Sequence, residues 1–390
     1  MLKMAVLTLF LGCASCAYNT SFEDCGATCA SNAECPDDLT CGSEGLCRTP
    51  GAPGTCATFA HPDSGTPDAS DPDAAIPDSS SPDAPDAPAT QASASCVGLA
   101  ATCGPASNES CCSTATTIPG GTFYRSYDVA ADGAYPSMGY PATVSSFKLD
   151  RFEVTVGRFR KFVDAGMGTQ TKPPSEGAGS RRLNGMNGQA GWSSSWNANL
   201  VSNATALKSA LKCNATYQTW TDTPGSNETM PINCLTWYEA IAFCIWDGGY
   251  LPTETEWNYA ASGGGEQRAY PWSAPASSTN ADCSYANFKE TSYCVNPPNG
   301  AANRVGSESP KGDGRWSHSD LAGNSLEWTL DVDAPYASSC TDCVAFGSGS
   351  KIIRGGSMLY GASFMRSSER KAIAADFRGG DIGLRCARPQ

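Results

Sequence analysis

The sequence predicts an α+β fold with little regular secondary structure, preceded by a disulfide-rich segment and a disordered linker. Three observations carry this. Gly and Pro number 40 and 26 in 390 residues, which favours turns and loops over a helical bundle. Aromatic and mixed-charge composition is confined to about 117–390, where three capped helical patterns and a few short β-rich runs stand among long loops. Twenty cysteines suit an oxidising compartment, where disulfides persist and can pin such loops.

Residues 1–16 read as an export signal. "MLKMAVLTLFLGC" places Lys3 before an apolar run from Met4 to Leu11 that is too short to span a bilayer. Leu11-Gly12-Cys13 resembles a bacterial lipobox, which makes Cys13 the lipidated first residue of the mature protein; the alternative is a plain cleaved signal. Residues 17–60 hold Cys25, Cys29, Cys35, Cys41, Cys47 and Cys56 among few large apolar side chains. Such a piece cannot bury a core and depends on disulfides, whose connectivity is not legible. Residues 61–95 form a linker: positions 61–90 carry seven Asp, seven Pro and no Lys or Arg. Proline and like charges extend the chain, to ~90 Å at about 3.1 Å per residue. Residues 96–116, with Cys96, Cys103, Cys111 and Cys112, lead into the main domain, 117–390.

In the main domain "IPGGTFYRSYD" predicts a turn and a strand, and "ATVSSFKLDRFEVTV" strands bearing Phe147, Leu149 and Phe152. "TVGRFRKFVDAG" predicts a helix capped by Thr155, with Phe159, Phe162 and Val163 on one face. "TWYEAIAFCIWDGG" predicts a second, with Thr236 and Glu239 as a capping box and Trp237, Ala240, Ile241 and Cys244 sharing a face. "PTETEWNYAASGG" repeats the device with Thr253 and Glu256. "KIIRGG" and "IGLRCAR" predict short strands.

Several function classes are excluded. A net charge of −13 disfavours nucleic acid as a partner. Only two histidines occur, and His61 lies in the linker, which argues against a three-His metal centre and a Ser-His-Asp site. "GGGEQR" lacks the Lys-Ser/Thr of a phosphate loop. Glu254 and Glu256, two apart on a helix, point away from each other. Trp257 and Trp328 are expected in the core, Arg354 and Arg385 in internal salt bridges, and His318 as a loop hydrogen-bonder.

Four blocks in order resemble the formylglycine-generating enzyme (sulfatase-modifying factor) family: "IPGGTFYR", "FKLDRFEVTVGRFRKFVDAG", "MPINCLTWYEAIAFCIWDGGYLPTETEWNYAASGGGEQRAYPWS", and "HSDLAGNSLEWTLD" through "IIRGGSMLY" to "DIGLRCARPQ". The resemblance implies a C-type-lectin-like fold. It also implies oxidation of a substrate cysteine to formylglycine on copper held by two thiolates, three and eight residues after the Ser of "GGS". Soft Cu(I) suits thiolates. From Ser357 those positions are Tyr360 and Met365, so the catalytic pair is missing and no copper is expected.

A structural calcium site is implied by "DLAGNSLE", with Asp320, Gly323, Ser325 and Glu327 as oxygen donors. A second family calcium site begins at Asn287 and Phe288, but its downstream Asp does not occur at the matching spacing. Cys244 and Cys386 match a family disulfide. Cys213–Cys234, Cys283–Cys294 and Cys340–Cys343 are pairings expected from nearness in sequence. The resulting expectation is a membrane-anchored lipoprotein of the outer membrane or cell surface, with a binding or scaffold role toward a protein, peptide or glycan of the envelope. The alternative is a formylglycine-generating oxidase acting on a sulfatase-like protein.

Overall fold

The structure, a computed structural model, describes residues 40–41, 47–48, 93–112, 117–130, 135–180, 191–295 and 300–390. The export signal with Cys13 and nearly all of the cysteine-rich segment and linker lie outside the described residues. The chain divides into two units, Met1–Ala84 and Pro85–Gln390. In the first, β1 (Thr40–Cys41) pairs antiparallel with β2 (Cys47–Arg48). Among the described residues no helix is long and apolar enough to cross a membrane.

The second unit opens with a hairpin of β3 (Ala101–Cys103) and β4 (Glu109–Ser110), closed by Cys96–Cys112 and Cys103–Cys111. Cys103 and Cys111 pack with Phe152 and Val305, so the two bridges replace the core this segment lacks. β5 (Gly121–Tyr124) pairs antiparallel with β6 (Pro141–Val144), which pairs parallel with β9 (Cys340–Thr341). β7 (Phe147–Leu149) pairs with β13 (Ala387–Pro389), joining an early strand to the chain end. The largest sheet has the order β11 (Lys371–Ile373), β10 (Lys351–Arg354), β8 (Leu326–Val332), β12 (Ile382–Gly383).

Helix starts follow local capping. α1 (Val156–Asp164) begins where the Thr155 hydroxyl accepts from the Arg158 N–H at 3.3 Å. α3 (Trp237–Trp246) and α4 (Glu254–Ala261) each carry a reciprocal Thr/Glu capping box, satisfying two end donors apiece. Trp237, Ala240, Ile241 and Cys244 are all buried. Several elements escape sequence reading, and two show why. α2 (Ala204–Ala210), capped by Asn203, is short and buries only Leu207 within its length and Leu211 at its C-cap, too brief a pattern to stand out. β8 is buried along almost its whole length, so the alternation that marks a half-exposed strand is absent.

The main core sits between α1, α3 and the large sheet. Phe159 stacks on Phe243 at 5.3 Å, Trp246 adjoins Phe162 and Phe243, and Trp328 and Leu384 close the other side. Each such side chain contributes about 1.5–3 kcal/mol by leaving water. Cys244 on α3 is joined to Cys386 beside β13, and Cys213–Cys234, Cys283–Cys294 and Cys340–Cys343 are also bonded. The twelve cysteines from Cys96 to Cys386 are therefore all oxidised, as suits an exported protein.

A buried ionic network locks these parts together. Arg158 pairs with Asp150 at 2.8 Å and Asp247 at 2.6 Å, and Arg388 pairs with the same two carboxylates. Asp247 also accepts the Ser95 N–H at 2.8 Å, and Arg158 donates to the Ser95 hydroxyl at 3.0 Å. The lead-in is thereby fastened where α3 ends.

Candidate functional site

The segment after β10 is shaped by Gly355 (φ +95°) and Gly356 (φ +68°), left-handed conformations that favour glycine. A Cβ at Gly356 would also sit 2.8 Å from the Phe364 carbonyl. Ser357 then donates its hydroxyl to Asp381 at 2.8 Å, and the Met358 N–H donates to the Asn324 carbonyl at 3.0 Å. These bonds place positions 360 and 365 in different surroundings. Tyr360 is 40 % exposed and contacts Phe364, their ring centroids 5.2 Å apart. Met365 is fully buried, packed with Tyr270, Ala286, Phe288 and Ala322. A thioether in that position is a core side chain.

Beside this turn lies a cleft of about 200 Å³ lined by Ile353, Gly356, Tyr360, Phe364, Lys371 and Ile373. It runs along β11, an edge strand of the large sheet. The Lys371 ammonium lies 5.0 Å from the Phe364 ring. The lining has aromatic and aliphatic surface, one cation, and neither thiol nor carboxylate. Such a surface can grip apolar side chains.

The loop 320–327 abuts the same turn. The Gly323 N–H donates to the Gly355 carbonyl at 2.9 Å, and Asn324 donates to the Asn287 carbonyl at 2.8 Å. Asp320, Gly323, Ser325, Asn287 and Phe288 are thus brought to one neighbourhood. Glu327 is directed to a different task. Its oxygens accept from the Arg385 guanidinium at 2.7–2.9 Å and from the Trp257 indole at 2.7 Å, with both charges buried. Among the described residues no group of three or more His, Cys, Asp or Glu side chains is disposed around one point.

Uncompensated oxygen nevertheless gathers here. Asn287 Oδ1 and Glu153 Oε1 are buried without a hydrogen-bond partner. Burial, then Asp320 and Glu327, push Glu153 well above the usual carboxylate range. Burial and the nearby Glu308 push Asp320 up to about 7, although it accepts the Gly306 N–H at 2.6 Å. These hard oxygen donors fit a calcium ion near Asp320 and Asn287.

The remaining polar side chains are structural. Glu256 serves the α4 capping box. Glu254 accepts from Arg354 at 2.6 Å, Arg370 at 2.7 Å and Tyr336 at 2.7 Å. Trp257 and Trp328 are fully buried. His318, expected to hydrogen-bond a loop, is fully enclosed beside the Leu149 backbone, and burial pulls its pKa down to about 3. Sequence reading missed Phe364, Lys371 and Ile373 of the cleft, which come together only through the turn and the β10–β11 pairing. It also missed Glu153, whose one signal is an acid flanked by apolar residues in "RFEVTV".

A family model described as "Sulfatase-modifying factor enzyme 1-like domain" matches residues 101–390. The chain is 34 % identical over 172 residues to the formylglycine-generating enzyme of Streptomyces coelicolor, covering 40 % of this chain and 52 % of that protein. It is 26 % identical over 294 residues to the Bos taurus formylglycine-generating enzyme, covering 69 % and 73 %. The Bos taurus protein named inactive C-alpha-formylglycine-generating enzyme 2 is 28 % identical over 162 residues, covering 40 % and 50 %.

Proposed function

Since the chain belongs to the sulfatase-modifying factor enzyme 1-like family, we propose that it is a family member without the oxidase, a lipoprotein tethered to the cell envelope that binds a protein or peptide partner. The observation that carries this is at positions 360 and 365. A surface tyrosine and a core methionine stand where the family's chemistry needs two thiolates, and every cysteine from Cys96 to Cys386 is disulfide-bonded. The relative named as inactive supports a role for this fold without that reaction.

The cleft beside Tyr360 suits an extended peptide. Its backbone would add along the edge of β11 while an apolar side chain enters between Tyr360, Phe364 and Ile373. Main-chain hydrogen bonds would supply affinity and the cleft specificity. Cys13 would carry the lipid anchor and the acidic linker would hold the domain away from the membrane. Calcium held by Asp320 with Asn287 and the Phe288 carbonyl, Glu327 being engaged by Arg385, would brace the loops behind the cleft.

The test is metal analysis of the purified chain together with oxygen uptake in the presence of a cysteine peptide. Calcium without copper or iron, and no aldehyde product, is the expected result. Stoichiometric copper, or conversion of the peptide cysteine to formylglycine, would restore the oxidase reading.

A further inference from the structure

A second cavity, of about 300 Å³, lies between the start of α3 and the loop that leads into β10. It shares no lining residue with the Tyr360 cleft, and neither proposal rests on the other. Its walls are aromatic: Trp196, Trp237, Tyr238 and Phe346. Trp196 meets Trp237 edge-on at 5.1 Å and 75°, and Phe346 is tilted 51° from Trp196. Lys351 lines the same cavity. Its ammonium lies 3.9 Å from the Trp237 ring and donates to the Gly347 carbonyl at 3.0 Å.

Three features decide what this cavity can take. Lys351 is only 2 % exposed and, among the described residues, makes no ion pair, so a buried cation has no carboxylate beside it. Burial lowers its pKa to about 8, and the more distant Asp331 only partly offsets this. No acid lines the cavity, so an incoming anion meets no repulsion there. The rings stand edge-on or tilted to one another, at 51–83°, leaving no parallel slot. A single face suits the C–H face of a sugar ring, whereas a flat aromatic guest favours stacking or edge contacts on several sides. Ser193, Ser348 and the Tyr238 phenol supply hydroxyls to the rim, where sugar hydroxyls need partners.

We infer that this cavity binds a carboxylate-bearing sugar, the ring lying against Trp196 and Tyr238 and the carboxylate meeting the Lys351 ammonium. The volume is at the lower end for small-molecule sites, about 300 Å³, and holds one such ring.

The experiment titrates the full-length chain with D-glucuronate, D-glucose and benzoate, following tryptophan fluorescence and calorimetric heat. Saturable glucuronate binding at least tenfold tighter than glucose, with benzoate weaker than glucuronate, is expected. Lys351→Met, which keeps the side chain's length and removes its charge, should weaken glucuronate tenfold or more and leave the far-UV circular dichroism unchanged. Lys351→Arg should retain part of the affinity, and Trp196→Ala should weaken both sugars. Equal binding of glucose and glucuronate, tighter binding of benzoate, no saturation at millimolar glucuronate, or an unaffected Lys351→Met variant would each overturn the assignment.

Discussion

Replacing Arg158 by Met tests the ionic lock directly. Arg158 is fully enclosed and faces Asp150 at 2.8 Å and Asp247 at 2.6 Å. With Arg388 it balances two carboxylates, so the variant leaves a buried cluster of one cation and two anions. Breaking a buried pair by removing one partner costs about 3–5 kcal/mol, because the survivor stays desolvated and uncompensated. Here Arg388 still reaches both acids, which argues for about 4 kcal/mol rather than twice that figure. Such a loss is a large share of a stability margin of about 5–15 kcal/mol. Adding Asp247→Asn restores neutrality, so the double variant should be more stable than the sum of the single losses by about 1–3 kcal/mol. The pH dependence has a definite sign. Burial raises the Asp150 pKa, but Arg158 and Arg388 outweigh it and hold the carboxyl below its ordinary 3.8. Its stabilisation is therefore present above pH 3.8 and lost as pH falls through the lowered value. Without Arg158 that depression shrinks, and the gap between wild type and variant should narrow on acidification from pH 6 toward pH 3. Urea denaturation across that range measures it. A gap under about 1 kcal/mol at neutral pH, or one that does not change with pH, would refute the reasoning.

Further outcomes follow from the same structure. Cys244→Ala with Cys386→Ala opens a bond across a sequence separation of 142 and should cost about 5 kcal/mol by the chain-entropy relation, read from denaturant midpoints; a loss near zero would deny the bond. Met365→Ala should cost about 2–5 kcal/mol as a core truncation, whereas Tyr360→Ala should stay within about 0.5 kcal/mol; equal effects in thermal melts would contradict their different burial. If calcium braces the 320–327 loop, a chelator should lower the melting temperature, with about 2.7 kcal/mol at stake when free calcium is a hundredfold above its Kd. Asp320→Asn should abolish that calcium dependence, and insensitivity of wild type to chelation would remove the ion from the account.

Much of the architecture was legible because helix starts are written locally. Thr155, Thr236 with Glu239, and Thr253 with Glu256 announce their helices within four residues, and the structure uses each as a cap. The family blocks located the turn at Ser357, and the resemblance alone assigns roles to positions 360 and 365. What sequence could not convey was the meeting of distant parts. β8 hides its character by being buried on both faces, and the cleft residues join across the β10–β11 pairing. His318 does lie in a loop, but nothing nearby in sequence reports that it is enclosed. Glu153 and Asn324, bonded at 2.6 Å, lie 171 positions apart.

The stapled lead-in hairpin bears on how the domain would respond to mechanical load. A pull on the chain ahead of residue 93 reaches Cys96, and the Cys96–Cys112 bond carries the tension past the intervening hairpin without unravelling it. Ser95, held by Asp247 and Arg158, transmits part of that force to the end of α3, only three positions beyond the Cys244–Cys386 bond. Traction would then be resisted by covalent links and the ionic lock, with little slack before the globule itself bears the strain.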